Sequence, residues 1–170
     1  GWVRFFSKQP VIRPDDLKQT RLFVWAGSAA DVDIYRSVGL NPVPLETVDI
    51  LPNLQTGLIN AVALPPSIAL AGQVDGAAPH MLDLAWAPLV GATVITKKTW
   101  DAIPLEGREA LRKAATETGK LMKADGRRES VESVEAMRKR GLRVHALTPD
   151  VEAEWRREVE AAYPKIRGVI

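Results

Sequence analysis

The sequence has 170 residues, of which 46% are hydrophobic and 26% are charged, a composition typical of a globular chain with a sizeable core. The 23 Lys and Arg residues nearly balance 21 Asp and Glu residues, and both signs are mixed along the chain, which argues against a nucleic-acid-binding protein. The absence of cysteine excludes disulfides and thiolate metal sites and is compatible with cytoplasm or periplasm.

No stretch reaches the roughly 18 to 20 consecutive apolar residues of a membrane span. No basic-then-apolar signal segment opens the chain either, so any export signal is expected to lie outside this sequence. The compartment therefore stays open at the level of composition.

The first part of the chain predicts a β-α-β-α-β series with a mainly parallel sheet flanked by helices. The series spans residues 21–66, with strands at 21–26, 41–45 and 61–64, and it follows a separate predicted strand at 2–6. Ser28 and Thr47 are predicted to cap two helices, which end at Gly39 and Gly57, where a left-handed residue is favoured.

The segment LINAVALPP at 58–66 predicts the end of a buried strand. Residues 61–64 are apolar without alternation, which suits a strand covered on both faces, and Pro65 and Pro66 cannot continue a hydrogen-bonded ladder. Because ligands bind beyond the carboxyl ends of parallel strands in open α/β sheets, this strand end is a candidate binding position.

The second part predicts a strand at 90–96 and a helical turn from Thr99 that stops before Pro104. Helix-forming sequence then runs from 105 to about 140, with Gly119 and Gly126 as positions where the helix is free to bend. Gly141 ends this long helix, and a last strand at 143–147 and a terminal helix from Thr148 are expected after it.

Five segments occur in an order that is typical of one protein family: KQPVIRPDDLK, VGLNPVPL, NLQTGLINA, VITKKTWDAIPLEGREALRKAA and KRGLRVHALTPD. The chain resembles the second half of the solute-binding proteins of TRAP (tripartite ATP-independent periplasmic) transporters, dicarboxylate type. The resemblance implies a two-lobed periplasmic receptor that closes on a small organic acid and hands it to the permease subunits in the membrane. It implies no catalysis and no cofactor.

The resemblance also implies a fold and a domain division. The fold is the α/β fold of type II periplasmic binding proteins, here with one long helix in the C-terminal part. Residues 1–86 and 126–163 are expected to form the second lobe, 87–125 to pack on the first lobe, and 164–170 to be a tail. We therefore predict that the chain is one part of a longer protein, whose N-terminal half is a further partner.

Two positions depart from the family pattern. The strand matching 21–25 carries in the family an arginine that binds the substrate carboxylate, and this position is Phe23. In the family, the strand matching 60–64 ends in an asparagine that faces the ligand, and this position is Leu64. A phenylalanine offers no fork of N–H donors for a carboxylate, so we predict an apolar or weakly polar ligand with at most one polar end.

The predicted ligand site contains six residues. They are Phe23, Trp25, Thr47, Leu64, Pro65 and Pro66. Thr47 is the expected polar contact, because its hydroxyl or the free N–H groups at a helix start can bind an oxygen. Plain core packing of Phe23, Trp25 and Leu64 is the alternative interpretation.

Two other functions stay open in the sequence. A carboxylate receptor with a displaced anchor would use Arg4, Lys8 or Arg13, although these residues lie in the entry strand and its loop. A serine hydrolase would combine Ser67, His80 and Asp83, but no nucleophile-elbow glycine pattern surrounds Ser67. His80 and His145 are isolated in sequence, and we predict neither a metal site nor a catalytic residue.

Overall fold

The computed structural model describes residues 1–167, with the side chains at 165 and 166 excepted. The strands are β1 (Arg4–Ser7), β2 (Arg21–Trp25), β3 (Asn41–Leu45), β4 (Ala61–Leu64), β5 (His80–Leu82) and β6 (Arg143–His145). The helices are α1 (Pro14–Lys18), α2 (Ala29–Ser37), α3 (Ile50–Thr56), α4 (Pro66–Ala71), α5 (Val74–Ala77), α6 (Lys97–Ala102), α7 (Leu105–Lys139) and α8 (Pro149–Ile166).

The six strands form one sheet in the order β3-β2-β4-β1-β5-β6. Strand β2 is parallel to β3 and β4, and β5 is parallel to β6, whereas β1 is antiparallel to both of its neighbours. The carboxyl ends of β2, β3, β4 and β5 therefore lie on the same side of the sheet as the first residue of β1. We call this side the carboxyl edge, and it contains Arg4, Trp25, Leu45, Leu64 and Leu82.

The two faces of the sheet carry separate apolar cores, because successive side chains of a strand point to opposite faces. Phe6 and Val62 belong to the first core, which also contains Leu54 of α3 and Met137 of α7. Phe5 belongs to the second core, with residues of α1 and α8. Helices thus cover both faces, as the α/β prediction requires.

Helix α7 is 35 residues long, and its buried residues are Ser133 and Met137, both in its last two turns. Upstream of these, large apolar side chains such as Leu105, Leu121 and Met122 are exposed. The C-terminal end of α7 thus holds the helix to the first core, while its N-terminal half projects an uncovered apolar side. Among the described residues, no helix is long and apolar enough to cross a membrane.

The predicted strand at 90–96 is wrong, because residues 89–96 have no regular secondary structure. Val90 and Val94 are 83% and 86% exposed, so no neighbouring strand of the described chain supplies the ladder that a strand needs. Before this segment, an isolated bridge joins Trp2 to Pro88. Strand β5 and the short helices α4 and α5 were absent from the sequence prediction.

Two predicted helix boundaries also differ. Thr47 opens a single 3-10 turn (Thr47–Asp49) and is not an N-cap, and the residue before helix α3 is Asp49. Helix α8 continues to Ile166, past the expected limit at 163, and residues 168–170 of the predicted tail lie outside the described residues. Gly57 has φ of 81°, which confirms the left-handed helix end that the sequence predicts.

Candidate ligand site

Thr47 and Leu64 line a common cavity at the carboxyl edge. Its volume is about 370 Å³, and its wall includes Ile50 of α3, Ile68 of α4 and Val74 of α5. Ile50, Leu64 and Val74 also belong to the first core, so the inner wall is formed by well-packed side chains. The wall is therefore mainly apolar, with Thr47 and Gln73 as polar residues, and the ligand role of Thr47 and Leu64 stays a prediction.

The other predicted site residues do not line this cavity. Phe23 is partly buried, pairs with Val43 on β3 and packs against the first core. Trp25 is 54% exposed, and its ring lies so close to Gly27 that a Cβ there would meet it at 2.4 Å. The structure thus supports core packing for Phe23 and an exposed position at the carboxyl edge for Trp25.

Pro65 and Pro66 are buried where β4 passes into α4. Pro65 precedes the helix with φ of −60° and ψ of 142°, and Pro66 is its first residue, where the missing N–H costs no hydrogen bond. Their role in the described chain is to end the strand and start the helix. No ligand contact is assigned to either residue by this geometry.

Arg4 is a residue of the carboxyl edge whose position the sequence interpretation judged unfavourable. It pairs directly with Leu64 on β4, because β1 is antiparallel to β4. Its Nε donates to Asp83 Oδ1 at 3.2 Å, and its Nη1 is buried without a hydrogen-bond partner. The guanidinium therefore has donor capacity that the described residues leave unused, at a free-energy cost of about 1–3 kcal/mol for such a group.

Arg4 also lines a second cavity, of about 470 Å³, between the start of β1 and helix α7. Trp2, Leu89 and Arg127 contribute to the same wall. The side chain of Arg4 is 17% exposed and that of Asp83 is 56% exposed, so the ion pair lies at the border between protein and solvent. The antiparallel pairing of β1 was the missing information, since the sequence shows only an arginine at the start of an apolar strand.

The remaining proposed anchors are occupied elsewhere. Lys8 Nζ donates to the carbonyl of Leu54 at 2.9 Å. The guanidinium of Arg13 forms ion pairs with Asp150 and Glu154 on α8, and the pKa of Arg13 is raised chiefly by its hydrogen bond to Glu154. Both cations therefore stabilise the packing of loops and helices.

The serine hydrolase arrangement does not form among the described contacts. His80 Nδ1 lies 2.9 Å from Nε2 of His145, with the two rings stacked, and Asp83 pairs with Arg4. Burial lowers the pKa of His80, and the charges of His145 and Arg143 lower it further. His80 is thus directed to a second histidine and not to Ser67.

Comparison with known proteins identifies the family of the chain and the proteins that share its fold. The family model described as bacterial extracellular solute-binding protein, family 7 (DctP), matches residues 1–168. The chain belongs to this family. A curated relative, the C4-dicarboxylate-binding periplasmic protein DctP of Rhodobacter capsulatus, is 23% identical over 156 residues, which are 91% of this chain and 46% of the relative.

Solved TRAP periplasmic solute-binding proteins share the fold. One from a Bradyrhizobium species, in complex with α/β-D-galacturonate, has a TM-score of 0.80 and 26% identity over 99% of this chain and 55% of its own. Another, from Pseudomonas aeruginosa PAO1 with bound L-malate, has a TM-score of 0.80 and 17% identity, and the match covers 97% of this chain and 57% of that protein. The chain thus spans about half the length of these relatives.

Proposed function

We propose that this chain is the second-lobe part of a periplasmic TRAP-type receptor that captures a small organic ligand and delivers it to a membrane permease. The observation that carries the proposal is the family match over residues 1–168, on a sheet whose parallel strands all end at one edge. The mixed charges of the surface suit weak, transient docking to a permease.

The chemistry of the ligand requires a correction to the prediction of an apolar compound. The solved relatives hold galacturonate and malate, which are acids, and these ligands argue against a receptor for hydrocarbon alone. Phe23 and Leu64 still argue against the family's usual anchors. We infer that the ligand is an organic acid with an apolar body, so that both observations are accommodated.

Arg4 is the best-placed anchor for the acid group in this proposal. A carboxylate accepts charge-assisted hydrogen bonds from a guanidinium in a forked geometry, and the buried Nη1 of Arg4 lacks an acceptor. Asp83 occupies the Nε side of the fork, so a carboxylate would have to approach from the other side of the guanidinium. The apolar body would lie toward Leu64 and the cavity that Leu64 shares with Thr47.

Calorimetry on the receptor with both lobes tests this proposal. The panel contains malate, galacturonate, medium-chain monocarboxylates and the matching primary alcohols. We expect the monocarboxylates to bind more tightly than the alcohols, and Arg4→Gln to weaken them by about 10-fold or more, since it removes a charged hydrogen-bond partner. Arg13→Gln is the matched control, because Arg13 pairs with α8 and should leave the ligand affinity unchanged.

The alternative of a fully apolar ligand predicts a different pattern. In that case the alcohols or hydrocarbons bind at least as well as the acids, and Arg4→Gln has no effect on affinity. Micromolar binding of malate that is insensitive to Arg4→Gln contradicts both ligand proposals and leaves the receptor function itself intact.

A further inference from the structure

A third cavity lies on the opposite face of the sheet from Thr47 and Leu64. Its volume is about 160 Å³, it opens to solvent on one side, and it is lined by side chains of α1, α2 and α8 together with Trp86. Leu17 and Trp155, in its wall, belong to the second core, whereas Leu64 belongs to the first. The two cavities share no lining residue, so this space is separate from the candidate ligand site.

The inner wall of this cavity is a fixed aromatic cluster. The centroid of the Trp86 ring lies 5.0 Å from that of the Phe5 ring and 5.5 Å from that of the Trp155 ring, which it meets edge to face. Trp155 Nε1 also donates to the carbonyl of Ile12 at 2.7 Å, which fixes the orientation of the indole. A wall that is already ordered loses little conformational entropy when a ligand binds.

The charges at the rim of the cavity are already paired. Lys18 Nζ lies 2.7 Å from Glu158 Oε1 and 3.0 Å from Asp15 Oδ1, and these carboxylates raise the pKa of Lys18. An ionised ligand would therefore lose its hydration without gaining a partner. Tyr35 contributes its ring to an almost wholly apolar wall. Burial raises the pKa of its hydroxyl, although a hydrogen bond with Trp86 lowers it, so this residue stays neutral.

We propose that this cavity is a binding site for a small neutral aromatic molecule of one ring or a compact fused pair, such as a phenol or an indole. Benzene binds in a closed apolar cavity of about 150 Å³. The pocket here has a similar volume and an almost wholly apolar lining but opens to solvent on one side, so it suits a guest of about one ring that keeps one edge toward water. Ring edges and faces of Trp86 and Trp155 would pack against the guest. A guest that carries one N–H or O–H group would direct this group to the open side of the pocket.

The position of Trp86 gives the site a structural connection to the start of β1. The backbone N–H of Trp86 donates to the carbonyl of Val3, and the backbone N–H of Val3 donates to the carbonyl of Ala87. A guest against Trp86 thus contacts a residue whose backbone is hydrogen-bonded to the residue that precedes β1. The site does not depend on the organic acid proposed above or on Arg4.

The test is nuclear magnetic resonance of the 170-residue chain titrated with phenol, toluene and benzoate. The side-chain N–H signals of the five Trp residues are assigned with Trp→Phe variants. We expect phenol and toluene to shift the Trp86 and Trp155 signals saturably, with a Kd below about 1 mM, and to leave those of Trp2 and Trp25 in place. Benzoate should bind at least about 10-fold more weakly, because its charge finds no partner.

Two neighbouring alanines of α8 supply matched variants. Ala162 lines the cavity and Ala161 is exposed, so Ala162→Phe fills the site while Ala161→Phe adds the same ring outside it. We expect Ala162→Phe to abolish the titration and Ala161→Phe to preserve it. If Ala162→Phe fails to fold, the unmodified chain still decides: absence of saturable shifts at Trp86 and Trp155, or equal shifts at all five Trp signals, overturns the proposal.

Discussion

His80 and His145 show how two residues that are isolated in sequence acquire a shared property in the fold. Their ring nitrogens lie 2.9 Å apart across the β5–β6 edge, so one imidazole donates to the other while the pair holds a single proton between these atoms. Arg143 on β6 adds a positive charge that opposes further protonation. The neutral form of His80 is therefore favoured in the folded chain, and acid opposes this contact.

This arrangement predicts a loss of stability in mild acid. Because the folded-state pKa of His80 is lowered, the unfolded chain binds the proton first, and the contribution to stability is lost as pH falls below the ordinary histidine value. We expect the free energy of unfolding to decrease between pH 7.5 and 5.5, as measured by urea denaturation at each pH. His80→Gln should flatten this dependence.

The pH range of the stability loss distinguishes His80 from the carboxylates. The pKa of Asp150 is lowered, chiefly by its hydrogen bond from Thr148, so its contribution is lost only at a more acidic pH. His145→Gln should also reduce the dependence, because it removes one of the charges that lower the pKa of His80. If the free energy of unfolding depends equally on pH in the unmodified chain and in His80→Gln, the pair does not control acid stability.

Single residues also show what the sequence could predict. Gly57 was identifiable because a left-handed helix end follows from local backbone preference. Arg4 was not, because its neighbours Leu64 and Asp83 lie about 60 and 79 positions away along the chain. Its importance depends on the antiparallel pairing of β1, which is a tertiary property that no local pattern contains.

Among the elements, length decided which were predictable. Helix α7 was expected from its long run of helix-forming residues, and β2 and β4 from compact apolar segments. Strand β5 has three residues and α5 has four, too few to establish a period. The segment VGATVIT was a false prediction because β propensity alone does not provide a neighbouring strand.

The same Met→Ala exchange should have very different effects at two positions of helix α7. Met137 is fully buried in the first core, so Met137→Ala should lower the free energy of unfolding by about 2–5 kcal/mol through lost contacts and a cavity. Met122, on the same helix, is 70% exposed, and Met122→Ala should change it by less than about 0.5 kcal/mol. Urea denaturation of the 170-residue chain measures both values, and equal costs would contradict the described docking of α7.

At the scale of the whole molecule, the segment 87–125 is the part of the chain with the least support. Val90, Val94, Leu121 and Met122 are all more than half exposed, which is unusual for large apolar side chains along one continuous segment. The relatives of known structure are about twice as long as this chain. We keep the prediction that this segment packs on the first lobe of a longer receptor.

The last prediction tests that packing by comparing one substitution in two contexts. Val94→Glu should be nearly neutral in the 170-residue chain, within about 0.5 kcal/mol, because its side chain is 86% exposed there. In the two-lobed receptor the same change would bury an unpaired carboxylate, and we expect a loss of about 1–3 kcal/mol or more. Leu58→Glu is the control, since Leu58 is 49% exposed and precedes β4 on the side of the sheet opposite the carboxyl edge, so its cost should be the same in both contexts. Denaturation of the four variants decides the question: a neutral Val94→Glu in the two-lobed receptor would mean that residue 94 stays uncovered and that the first lobe packs elsewhere.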